Sequence, residues 1–362
     1  MTISLLVLED EESQFVLLED ALKEINAKGD DAIIMEHAVD AQSALALFAS
    51  RKFDGAILDL RVPQDAATKA SEPVGVEIAL HAIEQHGLPI VIVSGFLGEI
   101  EDKLDAYPMT LLVKKNDKYA FEKALGFFVD HKPMLQALGN ARTAISQSLA
   151  NTFSRWIWPH WQSLMQATDE DQVQLNSVVT RQLVSHMAEL LGVDTEENPD
   201  WHPLECYIRP VLYEHRAQTG DIFAYDDGSI WIVLTPQCDM ATGKVPSVIL
   251  AKCEHGQFKD WDNKKGDLSS EVEKKRNSAQ KNIRGLTNQN LSLSLHFLPP
   301  IDDKGPLAVL FGHLQTIPLD ELNGCLDKRV ASLAATFVPN LTQRFGAFIS
   351  RTGQPNLDPG HF

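Results

Sequence analysis

The stretch Ile57-Leu58-Asp59-Leu60-Arg61-Val62-Pro63 sets the pattern for the first third of the chain. In this stretch a short apolar run is followed by the carboxylate of Asp59 and, four residues later, by Pro63. This pattern is typical of a buried strand that leads into a polar loop. Three further apolar runs also end in polar side chains. They are residues 3–8, followed by Glu9 and Asp10; residues 89–93, followed by Ser94; and residues 110–113, followed by Lys114.

The chain alternates between strand and helix patterns around these runs. We expect strands at residues 3–8, 32–36, 55–60, 89–93 and 110–113, with helices near residues 15–25, 41–49, 75–85, 98–106 and 119–129. Five strands alternating with five helices predict an α/β fold of the flavodoxin-like, doubly wound type, with a parallel sheet. In the strand order 2-1-3-4-5, the carboxyl ends of strands 1, 3, 4 and 5 meet at one edge.

The polar groups at this edge have a shared chemistry. The carboxylates of Glu9, Asp10 and Asp59 form a cluster of hard oxygen ligands suited to Mg²⁺. A carboxylate such as Asp59 can attack a phosphoryl group and form an acyl phosphate. Ser94 offers a hydroxyl to a phosphoryl oxygen, and Lys114 offers a positive charge.

On these motifs, residues 1 to about 130 resemble the receiver domain of two-component response regulators. The resemblance implies that Asp59 is the phosphoacceptor and that a histidine kinase or phosphotransfer protein is the donor. It also implies a Mg²⁺ site formed by Glu9, Asp10, Asp59 and the backbone carbonyl of Arg61. Ser94 corresponds to the hydroxyl switch residue of that family, and Lys114 corresponds to its phosphoryl-binding lysine.

The chain departs from the receiver pattern in three places, one of which is Lys115, which follows Lys114 where the family usually has Pro. Receivers carry an aromatic switch residue on strand 5, whereas this chain has Thr110-Leu111-Leu112-Val113 there. Residues 64–74 form a longer loop than receivers have after the phosphoacceptor strand. Transmission of the phosphorylation signal through a rotating strand-5 aromatic is therefore not expected.

The rest of the chain has a different pattern. We expect a receiver at residues 1–131, a helical linker at residues 132–198 and a β-rich α+β output domain at residues 199–362. Apolar stripes in the two linker helices, at residues 133–191, favour a homodimer or packing on the output domain. In the output domain we expect a hairpin turning at residues 226–229, and helix over residues 330–349 with a break at Pro339.

Composition limits the classes of function. The net charge is −18, and 24 of the 50 acidic residues but 11 of the 32 basic residues lie in residues 1–130. Nucleic acid is thus not favoured as the main partner, because phosphate neutralisation needs clustered bases. The four cysteines have no regular spacing, and no apolar run is long enough to span a bilayer, so a cytoplasmic protein without membrane partners is expected.

Two alternatives for the output domain stay open. It could be a phosphorylation-gated nuclease or hydrolase, because residues 220–234 and the late helix resemble the small barrel of toxin endoribonucleases, with Arg344 and Arg351 as residues to test. It could instead be a transcription regulator that reads DNA through the basic residues at 264–284. No histidine and cysteine spacing forms a four-ligand zinc motif.

Overall fold

The apolar runs of the N-terminal third form one parallel sheet. Its strands are β1 (Ile3–Leu8), β2 (Ile33–Ala38), β3 (Gly55–Leu58), β4 (Ile90–Ser94) and β5 (Thr110–Lys114). Their order in the sheet is β2-β1-β3-β4-β5, and every neighbouring pair is parallel. The predicted flavodoxin-like, doubly wound fold is therefore confirmed.

The computed structural model describes residues 2–28, 32–65, 67, 73–104, 107–168, 171–192, 200–352 and 358. Contacts divide the chain into two units, Met1–Val193 and Asp194–Phe362. The predicted three-part division stays a prediction; the helices assigned to its middle part lie in the first unit. No helix among the described residues has both the length and the apolar character that crossing a bilayer requires.

Helices cover both faces of the sheet. They are α1 (Glu12–Lys28), α2 (Ala41–Ser50), α3 (Gly75–His86), α4 (Glu101–Leu104) and α5 (Ala120–Asp130). Alternate strand residues point to opposite faces, so Leu6 and Leu58 pack beside α2 and α3, whereas Leu5 and Val91 pack beside α1 and α5. The helix predicted at residues 98–106 is shorter, with a 3₁₀ turn at Leu97–Glu99 before α4.

Glycine is required where α3 begins. A Cβ atom on Gly75 would lie 2.1 Å from the backbone oxygen of Asp59 and 2.6 Å from the Cα atom of Leu60. The Gly75 N–H donates to the carbonyl oxygen of Leu60 at 3.0 Å. The start of α3 thus packs directly on the backbone that carries Asp59, which fixes that backbone in place.

A helical extension continues the first unit. It consists of α6 (Lys132–Thr152), a π-helical turn (Phe153–Ile157), a 3₁₀ turn (Trp158–His160), α7 (Trp161–Ala167) and α8 (Gln172–Gly192). Leu135 is buried with the core beside α5. The guanidinium of Arg142 donates to the carbonyl oxygens of Phe53, His86 and Gly87. α6 is therefore tied to the sheet-and-helix body by packing and by hydrogen bonds.

The second unit is built on an antiparallel sheet, as the predicted β-rich output region requires. Its strands are β6 (Tyr207–Ile208), β7 (Asp221–Ala224), β8 (Ile230–Val233), β9 (Ser247–Glu254), β10 (Leu295–Leu298), β11 (Leu307–Pro318) and β12 (Arg329–Leu333). The order is β10-β11-β9-β8-β7-β12-β6. Its helices are α9 (Gln237–Thr242), α10 (Trp261–Asp267), α11 (Glu273–Thr287), α12 (Leu319–Asn323) and α13 (Val338–Ser350). The hairpin predicted around residues 226–229 is present as β7 and β8.

The helix predicted from residue 330 is wrong in its first part. Residues 329–333 form β12, which pairs with β7 and β6, and Ala331 and Leu333 alternate into the core. Pro339 lies in the first turn of α13 rather than at a break between two helices. A proline is tolerated there because the first helical N–H groups have no intrahelical acceptor.

A buried ion pair joins β12 to β7. Nη1 of Arg329 lies 2.9 Å from Oδ2 of Asp221, and both side chains are nearly inaccessible to solvent. Nη1 also donates to the carbonyl oxygen of Arg216, and Nη2 donates to that of Tyr213. The pair therefore fixes the segment before β7 as well as the two strands.

We expect Arg329→Met to lower the free energy of unfolding of the second unit by about 3–5 kcal/mol, because the buried Asp221 carboxylate loses its cation. Lys328→Met is the matched control, since Lys328 pairs with the exposed Asp226 and its loss should change the unfolding midpoint little. Urea unfolding of the full chain measures both. Equal losses in the two variants would contradict the assignment.

Candidate active site

Polar side chains from four strand ends meet at the carboxyl edge of the parallel sheet. Glu9 and Asp10 follow β1, Asp59 follows β3, Ser94 ends β4 and Lys115 follows β5. Each of these side chains lies at this edge because the apolar strand that precedes it ends there. Of the six predicted positions, the structure brings together the side chains of Glu9, Asp10, Asp59 and Ser94.

Asp59 is at the centre of this site and is only 6% exposed. The hydroxyl of Ser94 donates to its Oδ1 at 2.7 Å, and Nζ of Lys115 donates to its Oδ2 at 2.7 Å. Its backbone N–H donates to the carbonyl oxygen of Leu8, which joins the ends of β1 and β3. Both carboxylate oxygens are thus oriented by partners of fixed position.

The lysine predicted for the site was Lys114, and this prediction is corrected to Lys115. Leu111 and Val113 pack on one face of the sheet and Leu112 on the other. Lys114 continues this alternation, pairs with Ser94 in the ladder and has an exposed side chain. The next residue leaves the strand, and the Nζ atom of Lys115 reaches both Glu9, at 2.9 Å, and Asp59.

Burial and the lysine have opposing effects on the acidic groups. Burial raises the pKa of the Glu9 carboxyl to about 7, although Lys115 acts in the lowering direction. Burial also raises the pKa of Asp10. For Lys115, burial acts to lower the pKa, but its hydrogen bonds to Asp59 and Glu9 outweigh that effect and hold the pKa above its usual value. The ammonium of Lys115 therefore stays charged and compensates the carboxylates.

The acidic residues have the geometry of a cation site. Glu9, Asp10 and Asp59 each offer a carboxylate oxygen, and these atoms lie within 4.8 Å of one another. Hard oxygen donors in a partly open cluster match the preference of Mg²⁺, which keeps several water ligands and takes one or two carboxylates. The residues present thus fit this ion by the chemistry of their donors.

Arg61 has contacts that the sequence did not reveal. Its backbone N–H donates to Oδ1 of Asp59 at 3.3 Å, and its guanidinium binds Glu99. The guanidinium also lies over the ring of Phe96, 4.0 Å from the ring centroid. The role of the Arg61 carbonyl as a metal ligand stays a prediction.

His37 was missed by sequence reasoning. Its Nε2 lies 2.7 Å from the carbonyl oxygen of Glu9, so Nε2 must carry the proton in this contact, because a carbonyl cannot donate. The ring stacks on Phe15 with 3.7 Å between centroids. His37 therefore holds the loop that carries Glu9. The alternation of β2 gave no signal for this, since the contact depends on the neighbouring strand.

The predicted long loop lies partly outside the described residues, which omit residues 66 and 68–72. In the second unit, Arg344 donates to the carbonyl oxygens of Gln289, Ser292 and Leu295, and Arg351 lies over the ring of Phe348. The basic residues at 264–284 lie on α10 and α11. The nuclease and DNA-reading alternatives remain untested.

Comparisons with known proteins concern the N-terminal part of the chain. No family model matches the chain, and no curated protein gives a significant match. Several solved structures that match are receiver domains. One is a CheY-like receiver from Methylobacillus flagellatus, with 17% identity, 38% of this chain and 98% of that chain covered, and a TM-score of 0.27.

Two other solved structures are similar to the same part of the chain. The signal receiver domain of an HD domain-containing protein from Pseudomonas fluorescens Pf-5 has 17% identity, covers 38% of this chain and 99% of its own, and has a TM-score of 0.30. The response regulator TrrA from Thermotoga maritima, in complex with Mg²⁺ and BeF, has 21% identity, with 34% and 98% covered and a TM-score of 0.26. The fold predicted for residues 1 to about 130 is confirmed by the strand order of the parallel sheet itself.

Replacing the buried lysine should destabilise the first unit. We expect Lys115→Gln to lower its free energy of unfolding by about 3 kcal/mol, because two buried carboxylates lose their cation. A cation that binds the folded carboxylate cluster would recover part of this loss, and Mg²⁺ is the ion to add. Urea unfolding with Mg²⁺ or with a chelator measures both effects. Lys114→Gln is the control, and a loss as large in that variant would contradict the corrected assignment.

Proposed function

We propose that the chain is a cytoplasmic two-component response regulator in which Asp59 accepts a phosphoryl group from a histidine kinase or phosphotransfer protein. One observation supports this above all: a buried aspartate at a strand end has a hydroxyl on one oxygen and an ammonium on the other. Two more carboxylates stand beside it in position to hold a divalent cation. This combination meets the needs of phosphoryl transfer, which depends on positioning and charge neutralisation.

The carboxylate of Asp59 is the nucleophile in this proposal. One of its oxygens attacks the phosphorus atom of the donor's phosphorylated imidazole, and an O–P bond forms as the N–P bond breaks. The electron pair of the broken bond stays on the imidazole nitrogen, which takes a proton from solvent. When bound by Glu9, Asp10 and Asp59, Mg²⁺ supplies positive charge to the phosphoryl oxygens.

Ser94 and Lys115 change partners during this step. In the structure both donate to Asp59 itself. Once Asp59 is an acyl phosphate, its charge lies on the phosphoryl oxygens, and the same hydroxyl and ammonium can donate to those oxygens instead. The Phe96 N–H contacts the Ser94 hydroxyl oxygen at 3.3 Å, so a shift of Ser94 would reach the Phe96 segment directly.

The second part of the proposal concerns assembly. Five large apolar side chains recur along one stripe that begins in α6 and continues into the π-helical turn, and all are exposed: Leu138, Ile145, Leu149, Phe153 and Trp156. We propose that a second copy of the chain covers this stripe and that the pairing conveys the state of Asp59 to the output unit. Exposed apolar helix stripes of this kind are typical of helix–helix association.

Acetyl phosphate with Mg²⁺ tests the phosphoacceptor. We expect one acid-labile, alkali-sensitive phosphoryl group on the wild-type chain, none on Asp59→Asn, and none after metal removal by a chelator. Lys115→Gln should slow labelling on the order of a hundredfold, because it removes the charge that meets the phosphoryl oxygens. Lys114→Gln should label at the wild-type rate. Intact-mass spectrometry over time measures the rates, and equal labelling of Asp59→Asn would refute the proposal.

Sedimentation velocity tests the assembly. We expect the wild-type chain to sediment as a dimer and Leu149→Glu to sediment as a monomer, because a carboxylate on the stripe would have to be buried without a partner. Gln147→Glu adds the same group two residues away on an exposed position of α6 and should leave the dimer intact. A monomeric wild-type chain, phosphorylated or not, would contradict the proposed homodimer.

A further inference from the structure

A cavity of about 740 Å³ lies in the second unit. Its walls come from the segment before β6, the end of α11, strand β10 and the start of α13. Its lining includes the buried Leu298 and Leu333 together with several polar side chains, some of them exposed. An apolar cavity of this size with a few polar groups is the usual form of a small-molecule site.

One polar group of the cavity lining is deeply buried. His296 is 3% exposed, and its Nδ1 atom has no hydrogen-bond partner among the residues that the structure describes. Burial, together with the positive charge of Arg344, lowers the pKa of His296 to about 3, so the ring is neutral. A buried ring nitrogen without a partner is costly unless a ligand or water satisfies it.

Arg284, one of the residues that line the cavity, forms a weak ion pair. Arg284, near the end of α11, lies 3.2 Å from a carboxylate oxygen of Asp200, and both side chains are largely exposed. Exposed pairs of this kind hold their partners weakly. An anionic ligand can therefore take the place of Asp200 and receive two parallel N–H donors from the guanidinium.

Two amides and two aromatic rings complete the lining. Asn288 and Asn340 are exposed at the cavity, and each offers both a donor and an acceptor. The Trp201 indole is 45% exposed and meets the ring of Phe337 edge to face, with 5.7 Å between centroids. A half-exposed indole beside amides is suited to a flat ligand that carries mixed hydrogen-bonding groups along its edge.

We propose that this cavity binds a free nucleoside monophosphate, with the base against Trp201, the base edge at Asn288, Asn340 and His296, and the phosphate at Arg284. The alternation of donors and acceptors on a base edge matches amides and a neutral imidazole. An aromatic carboxylate would satisfy Arg284 and Trp201 but would leave the amides and the buried nitrogen without complementary groups. The proposal is independent of phosphorylation at Asp59.

Isothermal titration calorimetry on the full chain tests this binding. The probes are the adenine, guanine, cytosine and uracil nucleoside monophosphates, the matching nucleosides, inorganic phosphate and benzoate. We expect at least one monophosphate to bind, its nucleoside to bind more weakly, and phosphate and benzoate to bind weakest of all.

Two variants distinguish the contacts to the phosphate from the contacts to the base. Arg284→Gln should weaken binding of the monophosphate about tenfold and leave that of the nucleoside unchanged, because it removes only the charge-assisted contact. Trp201→Leu should weaken both. Both residues are exposed, so the variants should fold, and circular dichroism checks this. Lys274→Gln removes a charge from the same helix outside the cavity and should change neither affinity.

Four results would overturn the proposal. They are failure of every monophosphate to bind at millimolar concentration, equal weakening by Lys274→Gln and Arg284→Gln, binding of phosphate or benzoate as tightly as of nucleotides, and binding of single-stranded oligonucleotides without binding of mononucleotides. Asp59→Asn should leave nucleotide binding unchanged, which distinguishes a failure here from a failure of the phosphoacceptor proposal.

Discussion

The N-terminal site depends on one ammonium group shared between two buried carboxylates. Nζ of Lys115 lies within 2.9 Å of oxygens on both Glu9 and Asp59, and all three side chains are largely shielded from water. Like charges this close repel strongly in a medium of low dielectric constant. The lysine therefore makes the cluster compatible with a folded sheet.

The backbone around this cluster is fixed before any ligand binds. The start of α3 rests on the Asp59 backbone at Gly75, and His37 holds the carbonyl group of Glu9. Preorganisation of this kind would lower the reorganisation that the proposed phosphoryl transfer requires. It also explains why residues with no polar role of their own, such as Gly75, are constrained at this edge of the sheet.

Sequence reasoning predicted most of the first unit because its signals are local. Asp59, Ser94 and the pair Glu9 and Asp10 each follow an apolar run, so their placement at one edge follows from the alternation of strands and helices. The choice between Lys114 and Lys115 failed, because it depends on where β5 ends relative to its neighbour. Strand β12 was misread as helix, because its pairing with β7 and β6 comes from distant segments. The cavity around His296 is lined by residues from four separate segments, so no local sequence pattern predicts it.

The attachment of α6 has a mechanical consequence for signalling. The guanidinium of Arg142 donates to the carbonyl oxygen of Phe53, just before β3, and to that of Gly87, before β4. Asp59 follows β3 and Ser94 ends β4, so both lie at the opposite edge of the sheet. With strands of four and five residues, the two edges are separated by about 13–16 Å at roughly 3.3 Å per residue. The long helix is therefore anchored at the edge of the sheet opposite Asp59. Turning α6 against the sheet would require one guanidinium to release three acceptors at once, so α6 and its apolar stripe must move together with the body of the first unit.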